Sequence, residues 1–110
     1  MGRVKRGEIW LVAGGMYASK PRPALIVQDD RFDTDSVTVC PFTTTPVDAP
    51  LLRLPIPADA TSGIHHPGFV MIDKLITVHR ANVTEFVGRL SAVQLTAFER
   101  RAIVFLGLAD

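Results

Sequence analysis

Residues 20–27 read KPRPALIV, a cation fenced by two prolines and followed by a run of strand formers. Pro23–Gln28 is continuously apolar up to its last residue, which predicts a strand buried on both faces. Pro21 and Pro23 each fix a backbone φ near about −65°. Pro23 also biases Arg22 itself toward extended geometry. The guanidinium is therefore pre-set in direction at the mouth of a buried strand. A solvated surface arginine needs no such fence.

Working outward, the first two-thirds of the chain predicts short strands broken by Gly, Pro and Asp turns. Residues 8–13 (EIWLVA), 37–42 (VTVCPF), 51–56 (LLRLPI) and 69–72 (FVMI) are strand segments. Residues 76–80 continue the last of these after a bend, and 85–90 form a final strand. Pro55 marks 51–56 as an edge strand. Loops are expected at 14–21, 28–36, 43–50 and 57–68. The period then changes. Ser91 is an N-cap, Gln94 completes a capping box, and Leu90 and Leu95 occupy staple positions. Leu95, Phe98, Ala102 and Phe105 recur on one helical face. Ile103, Val104, Leu106 and Leu108 widen that surface, and Gly107 closes the helix. So broad an apolar surface calls either for a partner chain or for deep burial. The fold class is β-rich α+β: five or six short, mostly antiparallel strands in a small β-barrel, with a C-terminal helix.

The 110 residues fit one domain, 1–110, and a core of this size needs neither disulfide nor metal. Cys40 is the single cysteine, so no internal disulfide exists, which favours a reducing compartment. The N-terminus has basic residues but no apolar signal region, and no apolar run approaches the ~20 residues of a membrane helix. A soluble, cytoplasmic protein is expected, without membrane association. Net charge is +1, too small for a whole-protein nucleic-acid footprint. It is uneven: Arg3, Lys5, Arg6, Lys20 and Arg22 make the first quarter basic, and Asp29, Asp30, Asp33 and Asp35 follow.

Arg22 has two readings. Its planar fork suits a phosphate, or it pairs with Asp29 or Asp73 to orient the strand. Thr43, Thr44 and Thr45 at a strand end either donate to a phosphate oxygen or cap turns. His65 and His66 are adjacent without a further Cys or His, a poor metal set; a histidine there can stack on RNA bases. Tyr17, in the loop beside Arg22, is a stacking platform. Trp10 and Phe42 are assigned to the core, His79 to a strand edge, and Cys40 to a buried apolar site. The Asp29–Asp35 cluster lacks the spacing of a calcium loop and is a solvated turn.

In order along the chain, RGEIWLVAGG, KPRPALIVQDDRF, VTVCPFTTT, GFVMIDKLITV and VGRLS resemble the MazF/PemK group of toxins from toxin–antitoxin systems. The resemblance covers nearly the whole chain. It implies an SH3-like antiparallel β-barrel, a homodimer, and sequence-specific cleavage of single-stranded RNA with neither metal nor cofactor. It also implies a cognate antitoxin that blocks the RNA groove. The group's catalytic arginine falls on Arg22, its catalytic threonine on Thr43, and a general base proposed in some relatives on Asp73. Tyr17, Lys20, Thr44, Thr45, His65 and Lys74 are the residues expected along the RNA. Two departures stand out. The loop before Arg22 lacks the Gly-Ser-Glu of many relatives, and Met71 stands where some carry an arginine two residues before the acid. The proton donor is therefore unassigned. Two other functions compete: a CcdB-like non-enzymatic toxin that poisons DNA gyrase, and an RNA-binding barrel without catalysis.

Overall fold

The computed structural model describes residues 3–14 and 18–108. Seven strands run in chain order: β1 (Glu8–Gly14), β2 (Ala18–Ile26), β3 (Ser36–Thr43), β4 (Arg53–Ile56), β5 (Gly68–Met71), β6 (Ile76–His79) and β7 (Val83–Arg89). Helix α1 (Ala92–Phe105) follows. Every strand pairing is antiparallel. The hydrogen-bonded order is β4-β5-β3-β2-β1-β7, with β6 also on β3. Pro55 thus lies in an edge strand, as its missing N–H requires.

The free edge of β3 is shared. Its first half pairs with β6, Ser36 opposite His79 to Val39 opposite Ile76. Its end pairs with β5, Phe42 opposite Val70 and Thr43 opposite Phe69. Between β5 and β6 a 3₁₀ turn, Ile72–Lys74, swings the chain outward before it returns to the same neighbour. That turn carries Asp73.

Residues 24–26 are buried, as the apolar run predicts, and the strand feeds two cores. Leu25 joins Ile9, Cys40, Val70, Ile72 and Phe98 on one face. Ala24 and Ile26 join Trp10, Val12, Val37, Val39 and Val83 on the other. Side-chain alternation along β1–β3 assigns neighbours to opposite faces, so a one-residue slip would exchange the two cores.

Two expectations need correction. The 14–21 loop is shorter than anticipated, because β2 begins at Ala18 and Arg22 lies mid-strand, opposite Val12. Prolines are tolerated there because the ladder to β3 starts only at Ala24, leaving this half of β2 with an open edge. The barrel is also not closed by strand pairing: β4 and β7 end the path unpaired. The loop after β4 fills the gap. Thr61 accepts from the Arg89 N–H at 2.9 Å. The approach is close enough to demand glycine: a Cβ on Gly88 would lie 2.2 Å from the Ser62 carbonyl oxygen, and one on Gly63 2.0 Å from that of Val87.

The helix begins as expected. Ser91 Oγ accepts from the Gln94 N–H at 3.1 Å and Gln94 Oε1 from the Ser91 N–H at 2.8 Å, a reciprocal capping box. It ends on a Schellman motif: Gly107 has φ 69°, its N–H reaches the Val104 carbonyl, and that of Leu108 reaches Ile103. Only Phe98 of the helix is buried, so the deep-burial alternative does not apply. Val104, Leu106 and Leu108 remain 56%, 51% and 74% exposed. Among the described residues no helix is long and apolar enough to cross a membrane.

Candidate functional site

Arg22 is exposed on β2 and stands where two surface cavities meet. The first, about 560 Å³, is lined by Arg22, Thr43, Thr44, His65 and His66 together with apolar neighbours. The second, about 610 Å³, is lined by Arg22, Met71, Asp73 and Lys74 among others. Arg22 and Phe42 belong to both. Each volume falls in the ~300–1,000 Å³ range of ligand sites. Neither alternative partner holds the arginine. Asp29 is taken by Arg31 at 3.1 Å and Asp73 by Arg53. Among the described residues Arg22 makes no ion pair. Its guanidinium is available to an incoming anion.

Thr43 ends β3 and is half-buried. Its Oγ accepts from the Thr45 N–H at 3.1 Å, a local side-chain turn. A hydroxyl that accepts at its oxygen keeps its proton for another partner, and Thr43 lines the first cavity. Thr45 thereby serves Thr43 and lines neither cavity; Thr44 lines the first.

Asp73 sits in the 3₁₀ turn with its carboxylate engaged from behind. Arg53 Nη1 donates to Asp73 Oδ1, and Lys74 Nζ lies 3.8 Å from Oδ2. The Arg53 and Asp73 side chains are 11% and 21% exposed, so this pair is partly desolvated and unlike a surface salt bridge. Arg53 Nη1 also donates to the Leu52 carbonyl at 2.9 Å. On β3 the buried Cys40 thiol is pushed up to about 12, by burial first and then by the Asp73 charge. It is an inert thiol at neutral pH.

The structure thus brings Arg22, Thr43, Thr44 and His65 to one cavity, and Arg22, Asp73 and Lys74 to the next. Lys20 is exposed on β2 and lines neither. Tyr17 lies outside the described residues. Trp10 is buried as expected, but Phe42 only partly packs on the core and walls both cavities. Among the described residues no group of three or more His, Cys, Asp or Glu is gathered as for a metal. Arg53 escaped sequence reasoning. In LLRLPI it alternates with inward Leu54 and Ile56 and reads as a solvated charge. Only the register, Arg53 opposite Met71, puts it beside the Asp73 turn.

A family profile described as PemK-like, MazF-like toxin of type II toxin–antitoxin system matches residues 5–106. The chain belongs to the PemK/MazF toxin family. A "Probable endoribonuclease MazF" of Mycolicibacterium smegmatis is 49% identical over 108 residues, covering 96% of this chain and 99% of the relative. Among solved structures, the Mycobacterium tuberculosis toxin MazF-mt6 superposes with a TM-score of 0.80 at 26% identity, covering 94% of this chain and 99% of that one. A mycobacterial endoribonuclease solved with its cognate antitoxin gives 0.80 at 18% identity over 98% and 99% of the two chains. The latter likeness bears on the fold alone. The family profile and the curated relative favour the MazF-like over the CcdB-like reading.

Proposed function

We propose that this PemK/MazF chain, a single toxin domain over residues 1–110, is a metal-independent endoribonuclease whose scissile phosphate lies over Arg22. The observation that carries this reading is the position of Arg22 between two cavities of different chemistry. In-line displacement at phosphorus needs the attacking and leaving oxygens on opposite sides. Asp73 lines one of these cavities, and Thr43, His65 and His66 the other.

In the proposed reaction the 2′-oxygen attacks its neighbouring phosphorus and the P–O5′ bond breaks. Asp73 Oδ2 takes the 2′-hydroxyl proton. Arg22 and the Thr43 O–H meet the growing charge on the phosphoryl oxygens. The departing 5′-oxygen takes a proton from the histidine side, where a protonated imidazole can donate. The products are a 2′,3′-cyclic phosphate and a 5′-hydroxyl. Thr44, His65 and Lys74 line the path of the single strand, with Lys20 and Thr45 near its margins; Tyr17 remains the stacking residue expected from the sequence.

The exposed apolar end of α1 supports a homodimer. With Leu51, 60% exposed, Val104 and Phe105 wall an apolar hollow beyond the cavities, a surface that a lone soluble chain rarely leaves open. A cognate antitoxin is the second expected partner. The test is incubation of mixed single-stranded RNA with the protein in excess EDTA, followed by end analysis. Cleavage at a short recurrent motif with cyclic-phosphate ends is expected. Intact RNA, or equal cleavage by folded Arg22→Ala, would overturn the reading.

A further inference from the structure

We infer that Arg53 is a positioning residue for this site: from behind the second cavity it fixes the Asp73 carboxylate in place, without touching RNA itself. The inference rests on the proposed role of Asp73. Its geometry stands apart from that role.

Arg53 begins β4, and register places it opposite Met71, two residues before Asp73. The edge strand therefore delivers a cation to the 3₁₀ turn from outside the turn's own sequence. The Leu52 carbonyl is the anchor. It accepts from Arg53 Nη1 at 2.9 Å and from the Ile72 N–H at 3.0 Å. The guanidinium and the turn backbone are thus tied to one oxygen, and the same Nη1 reaches Asp73 Oδ1. With Oδ1 held, Oδ2 is the oxygen left toward Lys74 and the cavity.

Arg53 reaches Asp73 from β4 and Lys74 from the turn itself. The neutral Cys40 thiol lies on β3, Arg22 lines the same cavity from β2, and α1, which also packs on the turn, carries Glu99, Arg100 and Arg101. Lys74 is exposed and 3.8 Å away, so water screens it. Arg53 is the partner that burial leaves strong. Without it, the carboxylate loses the buried partner that fixes its Oδ1. Arg53 Nε is buried and has no hydrogen-bond partner among the described residues.

The test uses the full chain and compares Arg53→Met, Arg53→Lys and Asp73→Asn with the native protein. Single-turnover cleavage is followed from about pH 5 to 9, with RNA binding and the ¹³C titration of the Asp73 carboxyl measured alongside. In Arg53→Met, with the neighbouring cation gone, the acidic limb of the rate profile and the carboxyl titration should both move to higher pH. RNA affinity should stay within about two-fold, because the residue makes no RNA contact. Arg53→Lys should restore most of the native profile, and Asp73→Asn should lack the limb. Should Arg53→Met not fold, Arg53→Gln keeps hydrogen bonding and removes the charge. An Arg53→Met limb and titration unmoved from native would overturn the inference, as would Asp73→Asn retaining the native limb. Loss of thermal stability alone is common to both readings and decides nothing. If the native protein cuts no RNA, the proposed function fails, and the carboxyl titration still decides whether Arg53 governs Asp73.

Discussion

Arg22 and Arg53 approach the Asp73 turn from opposite sides, one from β2 across an open cavity and one from β4 behind it. Arg22 is exposed, has no ion-pair partner among the described residues, and is held in direction by prolines. Arg53 is 11% exposed and joined to a carboxylate and a backbone carbonyl. The same side chain thus takes two different jobs, and solvent access separates them. An exposed cation without an ion-pair partner is free to pair with an arriving phosphate; a buried one is committed to the charge that allowed its burial.

The two arginines should respond to substitution in opposite ways. Arg22→Ala is expected to lower RNA cleavage by about 10²–10³-fold while shifting unfolding free energy by no more than about 0.5 kcal/mol. Arg53→Ala should cost about 3 kcal/mol in urea unfolding, because it strands a partly buried carboxylate. If Arg22→Ala unfolds the protein, or Arg53→Ala leaves stability untouched, the contrast is broken. Thr43→Val sharpens it from the first cavity. It removes the O–H donor and the acceptor for Thr45, and should reduce cleavage by about 10-fold or more at a stability loss of about 1 kcal/mol.

The last effect is a pH slope on the buried side, small near neutrality and growing only above pH about 9. The folded thiol of Cys40 is raised from 9.0 to about 12. Between those values the unfolded chain loses a proton that the folded chain keeps, so unfolding is favoured as pH rises. The stabilisation is complete below pH about 9 and is lost by about 12, with a limiting slope of about 1.4 kcal/mol per pH unit. Urea unfolding between pH 8 and 11 should show a steeper decline in the native protein than in Cys40→Ala. Asp73→Asn should lessen the decline, since its charge contributes to the raised value.

How much of this was legible in the sequence depended on range. Local signals read well: the capping box at Ser91–Gln94, the αL stop at Gly107, the two-faced burial of Ala24–Ile26, and the edge position of Pro55 all follow from near neighbours. Arg22, Thr43 and Asp73 were named from the sequence and prove to share a surface. Register was not legible. Nothing in LLRLPI says that Arg53 will stand opposite Met71, since pairing is decided by the turn and by which face is buried. Barrel closure by a loop was hidden for the same reason, because Gly63 and Gly88 are 25 positions apart. The early start of β2 was masked by Ser19, Lys20 and Pro21, poor strand formers that an open edge accepts.

That glycine seam has a reach beyond the barrel. Ile64, His65 and His66 follow Gly63 directly and build the wall of the first cavity opposite Arg22 and Thr43. The spacing between the two walls is set where Gly63 and Gly88 let backbone meet backbone, and not by any side chain in the groove. The seam works as a gauge. A Cβ at either glycine would force the two backbones to shift and carry the histidine wall with them, while Arg22, Thr43 and Asp73 stay on their own elements. The symptoms would be looser discrimination among RNA sequences and slower cutting.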